Sequence, residues 1–422
     1  MLERFRTEAN CKAAYTYLWL QSLKNAASGL GSGERVLFSS PYQGQKLMLL
    51  ALFEKGRLRA DVVRLLEVAK QLGIYTLCVN TLKLESATDY RHLIDCYIER
   101  RNFGRDFGSY KTGFEFLYKS GMADSCPRLL MVNDSIYFSS KHSLSFLQEM
   151  FASSCEVLGA TENHEIEHHL GSFCIAMGGR VLRSKALRSF WRRYRCSDVR
   201  PAVIKRGEMA LSRCLRKAAG SAEHFRALYD TTRAAELLQK EDALLERLVE
   251  LTRNSELMPW KTFSLAAVAN RVSAKYLYNP TQLVSVAPTS IRLTDMKNID
   301  VFFSGTVQHF IEALCNSLSN DERDRMKIQQ EMKAEIIADF LACFSEGSQI
   351  HQNNAFLHEL GMPLIKLDGL YRGMFSSRDV EILAEGLDGP QREHFRRTIY
   401  SRPFGGRTLS GWRRAAFYRG LI

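Results

Sequence analysis

Four short stretches carry residue types that can do chemistry. In Asn102-Phe103-Gly104-Arg105-Asp106-Phe107-Gly108 two glycines let backbone approach a ligand, Arg105 suits a phosphate, and Asp106 suits a ribose or base. A Gly-rich turn with an internal Arg–Asp pair would read the same way. In Asn133-Asp134-Ser135 a carboxylate follows an apolar run. It can hold a divalent cation that bridges a diphosphate, or cap a turn. Glu208 stands in a basic field of Lys205, Arg206, Arg213, Arg216 and Lys217 and is read as opening an amphipathic helix over 209–219. There it is either a cap favoured by the helix dipole or a base for an incoming hydroxyl. His164-Glu165-Ile166-Glu167-His168 has the His-Glu-x-x-His pattern of zinc proteases, which works only on a helix. The segment is short and lies between two expected strands, with little room for that helix, so His164 and His168 are not expected to form a zinc site.

The elements that must position these residues alternate between β and α. Apolar runs predict strands at 35–40 (after Gly29, Gly31 and Gly33), 74–80, 95–100, 128–132, 156–160 and 172–177. Helical spacing predicts helices at 61–72, with Asp61 as N-cap and Gly73 as stop, at 143–151, and over the basic stretch 181–194. Such alternation argues for an α/β fold with a mostly parallel sheet, whose ligands bind beyond the carboxyl ends of the strands. The stretches 102–108, 133–135 and 161–169 all fall there. From about residue 228 the pattern turns helical, with long periodic segments at 231–257 and 310–344, the second broken at 317–321. Pro259, Pro280 and Pro288 mark an irregular stretch between them. The expected organisation is an α/β domain over 1–228, a mainly helical region over 229–390 that completes the cleft, and a basic aromatic tail over 391–422.

Composition narrows the partners. The chain has 422 residues, with 58 Lys and Arg against 46 Asp and Glu, so its net charge is +12. The excess is local: 180–217 holds thirteen basic residues against Asp198 and Glu208, and 391–422 holds eight Arg against Glu393. A basic chain seeks nucleic acid, anionic lipid or a phosphorylated small molecule. No nucleic-acid motif is present, so nucleic acid is not an expected partner. The longest apolar run, Leu47-Met48-Leu49-Leu50-Ala51-Leu52-Phe53, is far short of the ~20 residues of a membrane span. The opening residues Met1–Arg6 do not read as a secretory signal, and the ten cysteines are scattered without a Cys-x-x-Cys pair, so reduced cytosolic thiols are expected. In the tail, Phe404, Trp412, Phe417 and Tyr418 lie among arginines, a pattern that suits an anionic membrane surface or a tail packed on its own domain.

Taken together, these segments resemble the rhamnan synthesis protein F family. Residues 102–113, reading NFGRDFGSYKTG, are similar to its "reNxGrDfgswkxGl" segment, and Leu129-Leu130-Met131-Val132-Asn133-Asp134-Ser135 matches its strand followed by Asn-Asp-Ser. Gly159-Ala160-Thr161-Glu162 and His169-Leu170-Gly171-Ser172-Phe173 resemble Gly-x-Thr-Asp and His-Leu-Gln-Ser-Tyr, with Glu162 and Gly171 as departures. Phe190-Trp191, Gly207-Glu208-Met209-Ala210-Leu211 and Gly361-Met362-Pro363-Leu364-Ile365-Lys366 continue the resemblance in order. It implies a GT-A-like, nucleotide-sugar-binding α/β domain, and a glycosyltransferase that builds bacterial surface polysaccharide, O-antigen or capsule, by moving a sugar, rhamnose being one candidate, to a lipid-linked or oligosaccharide acceptor. On that reading Asn102, Gly104, Arg105, Asp106, Asn133, Asp134 and Ser135 bind the nucleotide-sugar donor, and Asp134 holds Mg2+ or Mn2+. Glu208, Glu162 and His169 serve the acceptor, and the protein is cytoplasmic and peripheral on the inner face of the membrane. The other function class is a non-catalytic basic scaffold for an anionic polymer or membrane. It predicts that Asp106, Asp134 and Glu208 can be changed without effect.

Overall fold

The computed structural model of the chain describes residues 2–29, 33–254, 268, 271–272, 306–319, 321–402 and 405–422. Gly31, Pro259, Pro280, Pro288 and Phe404, singled out above, lie outside the described residues. The chain divides into two compact units, one made of Met1–Asp230 with Gly347–Ile422, the other of Thr231–Glu346.

The first unit is built on an eight-stranded sheet. Its strands are β1 (Arg35–Ser39), β2 (Leu47–Leu52), β3 (Tyr75–Asn80), β4 (Cys96–Glu99), β5 (Arg128–Asn133), β7 (Val157–Gly159), β10 (Cys174–Gly178) and β11 (Phe225–Ala227). They lie in the order β1-β4-β3-β2-β5-β10-β7-β11. The run β4-β3-β2-β5 is parallel throughout and β7 pairs in parallel with β11. Antiparallel pairings put β1 on β4 and insert β10 between β5 and β7. The sheet is therefore mixed; within its parallel run β3, β4 and β5 fall on expected strands, and β2 does not.

Its central strand is β2, which pairs with β3 on one side and β5 on the other. Every residue of β2 is buried. A strand covered on both faces shows a continuous apolar run with no alternation, which is why Leu47–Leu52 does not announce itself as a strand by period. Two smaller pairings complete the unit: β6 (Ile136–Phe138) with β12 (Leu364–Lys366), and β8 (Glu162–Asn163) with β9 (His169–Leu170). The first ties residues 364–366, far along the chain, to the strand that follows Asn133-Asp134-Ser135.

Helices cover the sheet through apolar stripes. The helix α2 (Ala60–Gln71) follows α1 (Leu2–Ala27), and α3 (Arg105–Lys119) buries Phe107, Tyr110, Phe114 and Leu117, three and four residues apart. A Cβ on Gly113 would lie 2.3 Å from Leu49 Cδ1, so the absent side chain is what lets α3 lie close on β2. Trp191, fully buried, stacks on Phe114 with ring centroids 4.6 Å apart.

Three local expectations are corrected. Asp61 does not cap α2: the N-cap is Arg59, and the buried Asp61 carboxylate pairs with the Arg59 guanidinium at 3.0 Å and accepts the Phe138 N–H. The basic stretch 181–194 is two helices, Gly179–Leu182 and Lys185–Arg193, because Ser184 Oγ caps the second by accepting the Leu187 N–H at 3.2 Å. Glu208 does not open a helix either. With Pro201 in its first turn, helix Arg200–Val203 runs straight into a π-helical turn, Ile204–Met209, and on into Ala210–Ala219.

The described residues of the second unit are mainly helical: Thr231–Lys240, Asp242–Asn254, Val307–Leu318 and Glu322–Ser345. The expected break at 317–321 ends in Asp321, whose carboxylate caps the last helix by accepting the N–H groups of Arg323 and Asp324. Leu238, Leu245, Leu248, Phe310, Ile328, Met332, Ile336, Phe340 and Phe344 are buried. No helix among the described residues is long and apolar enough to cross a membrane.

Candidate active site

Asn133, at the carboxyl end of β5, joins two of the sequence motifs. Its backbone N–H donates to the Phe173 carbonyl at 3.1 Å, while its Oδ1 accepts from the Ser135 N–H at 3.2 Å and the Ser135 hydroxyl at 2.5 Å. That leaves Nδ2 to donate to Asp106 Oδ2 at 3.0 Å. Asp106 Oδ1 accepts the Phe107 N–H in the first turn of α3. The start of α3 is an unusual piece of backbone. Gly104 takes φ 82° as the N-cap, where a Cβ would lie 2.6 Å from that of Cys196, and Arg105 takes φ 55°. A non-glycine in the left-handed region costs on the order of 1–3 kcal/mol and persists where the surroundings hold it. They do so here: Asp198 Oδ1 accepts the Gly104 N–H at 2.7 Å, and the Arg100 guanidinium donates to the carbonyls of Phe103 and Arg105 at 2.7 and 2.8 Å. Arg105 and Asn102 are exposed.

Glu208 reaches the same neighbourhood from its π-helical turn. Such turns recur at functional sites because the extra residue re-aims side chains. The turn lies so close to α3 that a Cβ on Gly207 would meet the Phe107 ring at 2.9 Å. Burial first, then the Asp106 carboxylate, push the Glu208 carboxyl up to about 7, against the pull of Lys366 and Arg200 and a hydrogen bond from Ser172. Its Oε2 lies 4.0 Å from His169 Nε2. His169 is only 3 % exposed, its Nδ1 sits 2.8 Å from the Glu167 carbonyl, and burial lowers its pKa. The imidazole is therefore neutral near pH 7, with its proton on Nδ1 and Nε2 free to accept.

Residues 347–422 bring in groups that the sequence did not single out. Lys366, on β12, donates from Nζ to Ser135 Oγ at 2.8 Å and lies over the Phe173 ring. Asp368 pairs with Arg372 at 3.1 Å; burial opposes its ionisation, but Lys366, His351 and Arg372 hold its carboxyl far below the usual range. Desolvation pushes half-buried His351 down to about 4. Arg200 has its pKa lowered by burial and by the Arg372 and Arg105 guanidinium groups, and among the described residues no carboxylate or carbonyl is hydrogen-bonded to it. The one signal that pointed here was the late motif ending at Lys366. Three other arginines of the 180–217 cluster serve the fold: Arg180 donates to the Ala219 carbonyl, Arg183 to that of Cys126, and Arg188 pairs with Asp124.

Two candidates are drawn elsewhere. The Asp134 carboxylate accepts the Phe53 N–H, and Arg59 donates to its carbonyl at 2.9 Å. Burial raises the Asp134 carboxyl, opposed by Arg59. The Arg59 guanidinium itself pairs with the carboxylates of Glu54 and Asp61. Glu162, on β8, turns its carboxylate to His164 and His168.

Fold and site together define an α/β protein whose polar groups gather past the carboxyl ends of parallel strands. Residues 74–279 match the model of the rhamnan synthesis protein F family, the family that the motifs resemble. Two curated relatives are similar over parts of the chain. The uncharacterized protein y4gN of Sinorhizobium fredii (strain NBRC 101917 / NGR234) is 26% identical over 182 residues, 41% of this chain and 46% of that protein. Virulence protein VirA of Vibrio anguillarum (strain ATCC 68554 / 775) is 28% identical over 119 residues, 28% of this chain and 38% of that protein. The matches thus span less than half the length of these relatives. Among solved structures, the mannosyltransferase PcManGT from Pyrobaculum calidifontis, in complex with GDP-Man and Mn2+, is 11% identical, with 80% of this chain and 99% of that chain covered and a TM-score of 0.23.

Proposed function

We propose that the chain is a glycosyltransferase that moves a sugar from a nucleoside-diphosphate donor to a hydroxyl of a growing glycan. The observation that carries this reading is the Glu208 carboxyl, poised at about 7 beside neutral His169 and flanked by Asp106, Lys366 and Arg200. A general base works best with a pKa near the operating pH. Ionised Glu208 takes the proton of the acceptor hydroxyl as that oxygen attacks the anomeric carbon, and the bond from that carbon to the diphosphate oxygen breaks. A single displacement of this kind inverts the anomeric centre. The leaving diphosphate needs preorganised positive charge. Arg105, Arg200, Lys366 and Arg372 supply it, while the Asn133–Asp106 pair at the strand end holds the nucleoside side. Rhamnose as the sugar and a surface polysaccharide, O-antigen or capsule, as the product follow from the family resemblance.

The test is a panel of nucleoside-diphosphate sugars, a rhamnose donor among them, scored by thermal shift and by hydrolysis. Ligand at 100 times its Kd stabilises the fold by about 2.7 kcal/mol, so a bound donor gives a clear upward shift. A panel with neither shift nor hydrolysis would remove the transferase reading in favour of the basic scaffold.

For the acceptor we infer a lipid-linked glycan met at an anionic membrane surface. Support comes from α1, which exposes Tyr15, Trp19, Leu20 and Leu23. The tail helix Gly411–Tyr418 packs beside it, with Trp412 edge-on to Tyr17 at 5.2 Å. Arg413 and Arg414 flank these rings, and aromatic rings among basic residues suit a headgroup layer. The same helix also packs on its own unit: Phe417 is buried against Tyr371 at 5.2 Å. Deleting residues from Ser410 onward would therefore disturb the fold as well. The cleaner test replaces exposed Trp19 and Trp412 by Glu. Sedimentation with phosphatidylserine-containing vesicles is expected to drop while the melting temperature holds, and equal sedimentation of the two proteins at low salt would remove the membrane role.

A further inference from the structure

The turn between β8 and β9 gathers three metal-ligating side chains. Glu162 lies on β8, His164 follows the strand, and His168 immediately precedes β9. The two imidazole rings are nearly parallel, with centroids 4.7 Å apart and planes at 16°. Both aim Nε2 at the same carboxylate: His168 Nε2 is 2.8 Å from Glu162 Oε2, and His164 Nε2 is 3.5 Å from Oε1. Ligand atoms about 2.0–2.1 Å from a tetrahedral zinc lie about 3.3 Å from each other, so the two distances straddle the spacing that a cation would impose. One ligand atom from each residue lies within 4.8 Å of the others.

The frame around these atoms is tied to the rest of its unit. Gln349, fully buried, accepts the Glu162 N–H on Oε1 at 3.1 Å, and the Gly347 carbonyl accepts the His164 N–H at 2.8 Å. Asn163 bridges Ser348 in antiparallel fashion. The Glu162 side chain is 12 % exposed.

We propose that Glu162, His164 and His168 bind one transition-metal cation of the zinc class, with a fourth position left for water. The His-Glu-x-x-His spacing thus serves a turn, where the protease pattern needs a helix. Its internal Glu165 takes no part, and Glu167 pairs with Arg213. Two imidazoles and a carboxylate form a donor set of the kind that zinc takes with an open site.

Arg216 tunes the affinity downward. Its Nη2 lies 3.0 Å from His168 Nδ1 and donates to the His168 carbonyl at 2.6 Å. Without metal, Nδ1 accepts from Arg216 and the ring proton sits on Nε2, donated to Glu162. A cation on Nε2 moves that proton to Nδ1, where it faces the Arg216 donor, and Arg216 keeps only the carbonyl. Removing this guanidinium favours the metal-bound ring.

The experiment uses the full, tag-free chain, stripped with EDTA and titrated with Zn2+ against a chromophoric chelator. One zinc per chain is expected. His164→Ala and His168→Ala should each weaken binding at least tenfold, and Arg216→Gln should tighten it several-fold. Co2+ in place of zinc should give the visible bands of a tetrahedral site, lost in His168→Ala. Circular dichroism confirms that each variant is folded, and if His168→Ala is not, the more exposed His164→Gln carries the test. Less than one zinc per chain, or binding that neither histidine substitution weakens, overturns the proposal. The readout is metal and not sugar, so it stands or falls apart from glycosyl transfer.

Discussion

Glu208→Gln is expected to lower sugar transfer by roughly 10²–10⁴-fold, the range for a lost general base, while making the fold more stable above neutral pH. The two effects have one origin. The folded chain holds this carboxyl at about 7, against an ordinary value of 4.5. Below pH 4.5 the group is protonated whether the chain is folded or not, and it contributes nothing. Between pH 4.5 and 7 the unfolded chain releases a proton that the folded chain keeps, so stability falls as pH rises. Above 7 the full penalty is present, at most about 3 kcal/mol at 1.36 kcal/mol per unit. Gln removes it, so the variant should melt higher than the parent at pH 8 and equally at pH 4. In the parent, kcat/KM should rise with pH through about 7, as the base ionises. A variant that keeps its activity within threefold, or a parent profile flat from pH 6 to 8, would show that Glu208 is not the base.

Asp106→Asn should cost about 10²-fold or more in kcat/KM, the scale of one lost preorganised electrostatic contact, and should also move the pH profile. Asp106 does two jobs. It accepts the Asn133 Nδ2–H at the strand end, and its negative charge is the second cause, after burial, of the raised Glu208 carboxyl. Neutralising it leaves burial in place but lets Glu208 ionise more easily. The midpoint of the kcat/KM profile should therefore move below 7 while the activity plateau falls. A merely structural Asp106 would give a lower melting temperature with the midpoint unmoved, and that outcome would sever its link to the base.

Much of this site was legible because chemistry at a strand end is local in sequence. Asn133 and Ser135 are two residues apart, and Gly104, Arg105 and Asp106 are consecutive, so their types and their position after apolar runs showed both halves of the Asn133–Asp106 pair. Asp134 shows the limit of such reasoning. A carboxylate after a strand invites a cation, but what meets it depends on what the neighbouring loop presents, and here the Phe53 N–H does. Glu162 is a parallel case, since its histidine partners were visible in the sequence but only the turn showed that they share its carboxylate.

By itself the sequence determined the alternation of strands and helices, the polar stretches past the strand ends, the break before the helix capped by Asp321, and the family resemblance. Each depends on residues within one or two turns of chain, where period and capping act directly. Tertiary structure alone decided that Leu47–Leu52 is the central strand, because burial on both faces erases the alternation that marks a strand. It alone placed Glu208 in a π-helical turn against Phe107 and Asp106, where desolvation and a like charge set its proton affinity. It also returned residues 347–422 to the first unit, setting Lys366 on Ser135 through the pairing of β12 with β6. Contacts between residues more than two hundred positions apart depend on how packed surfaces fit, and a single sequence carries no local mark of that fit.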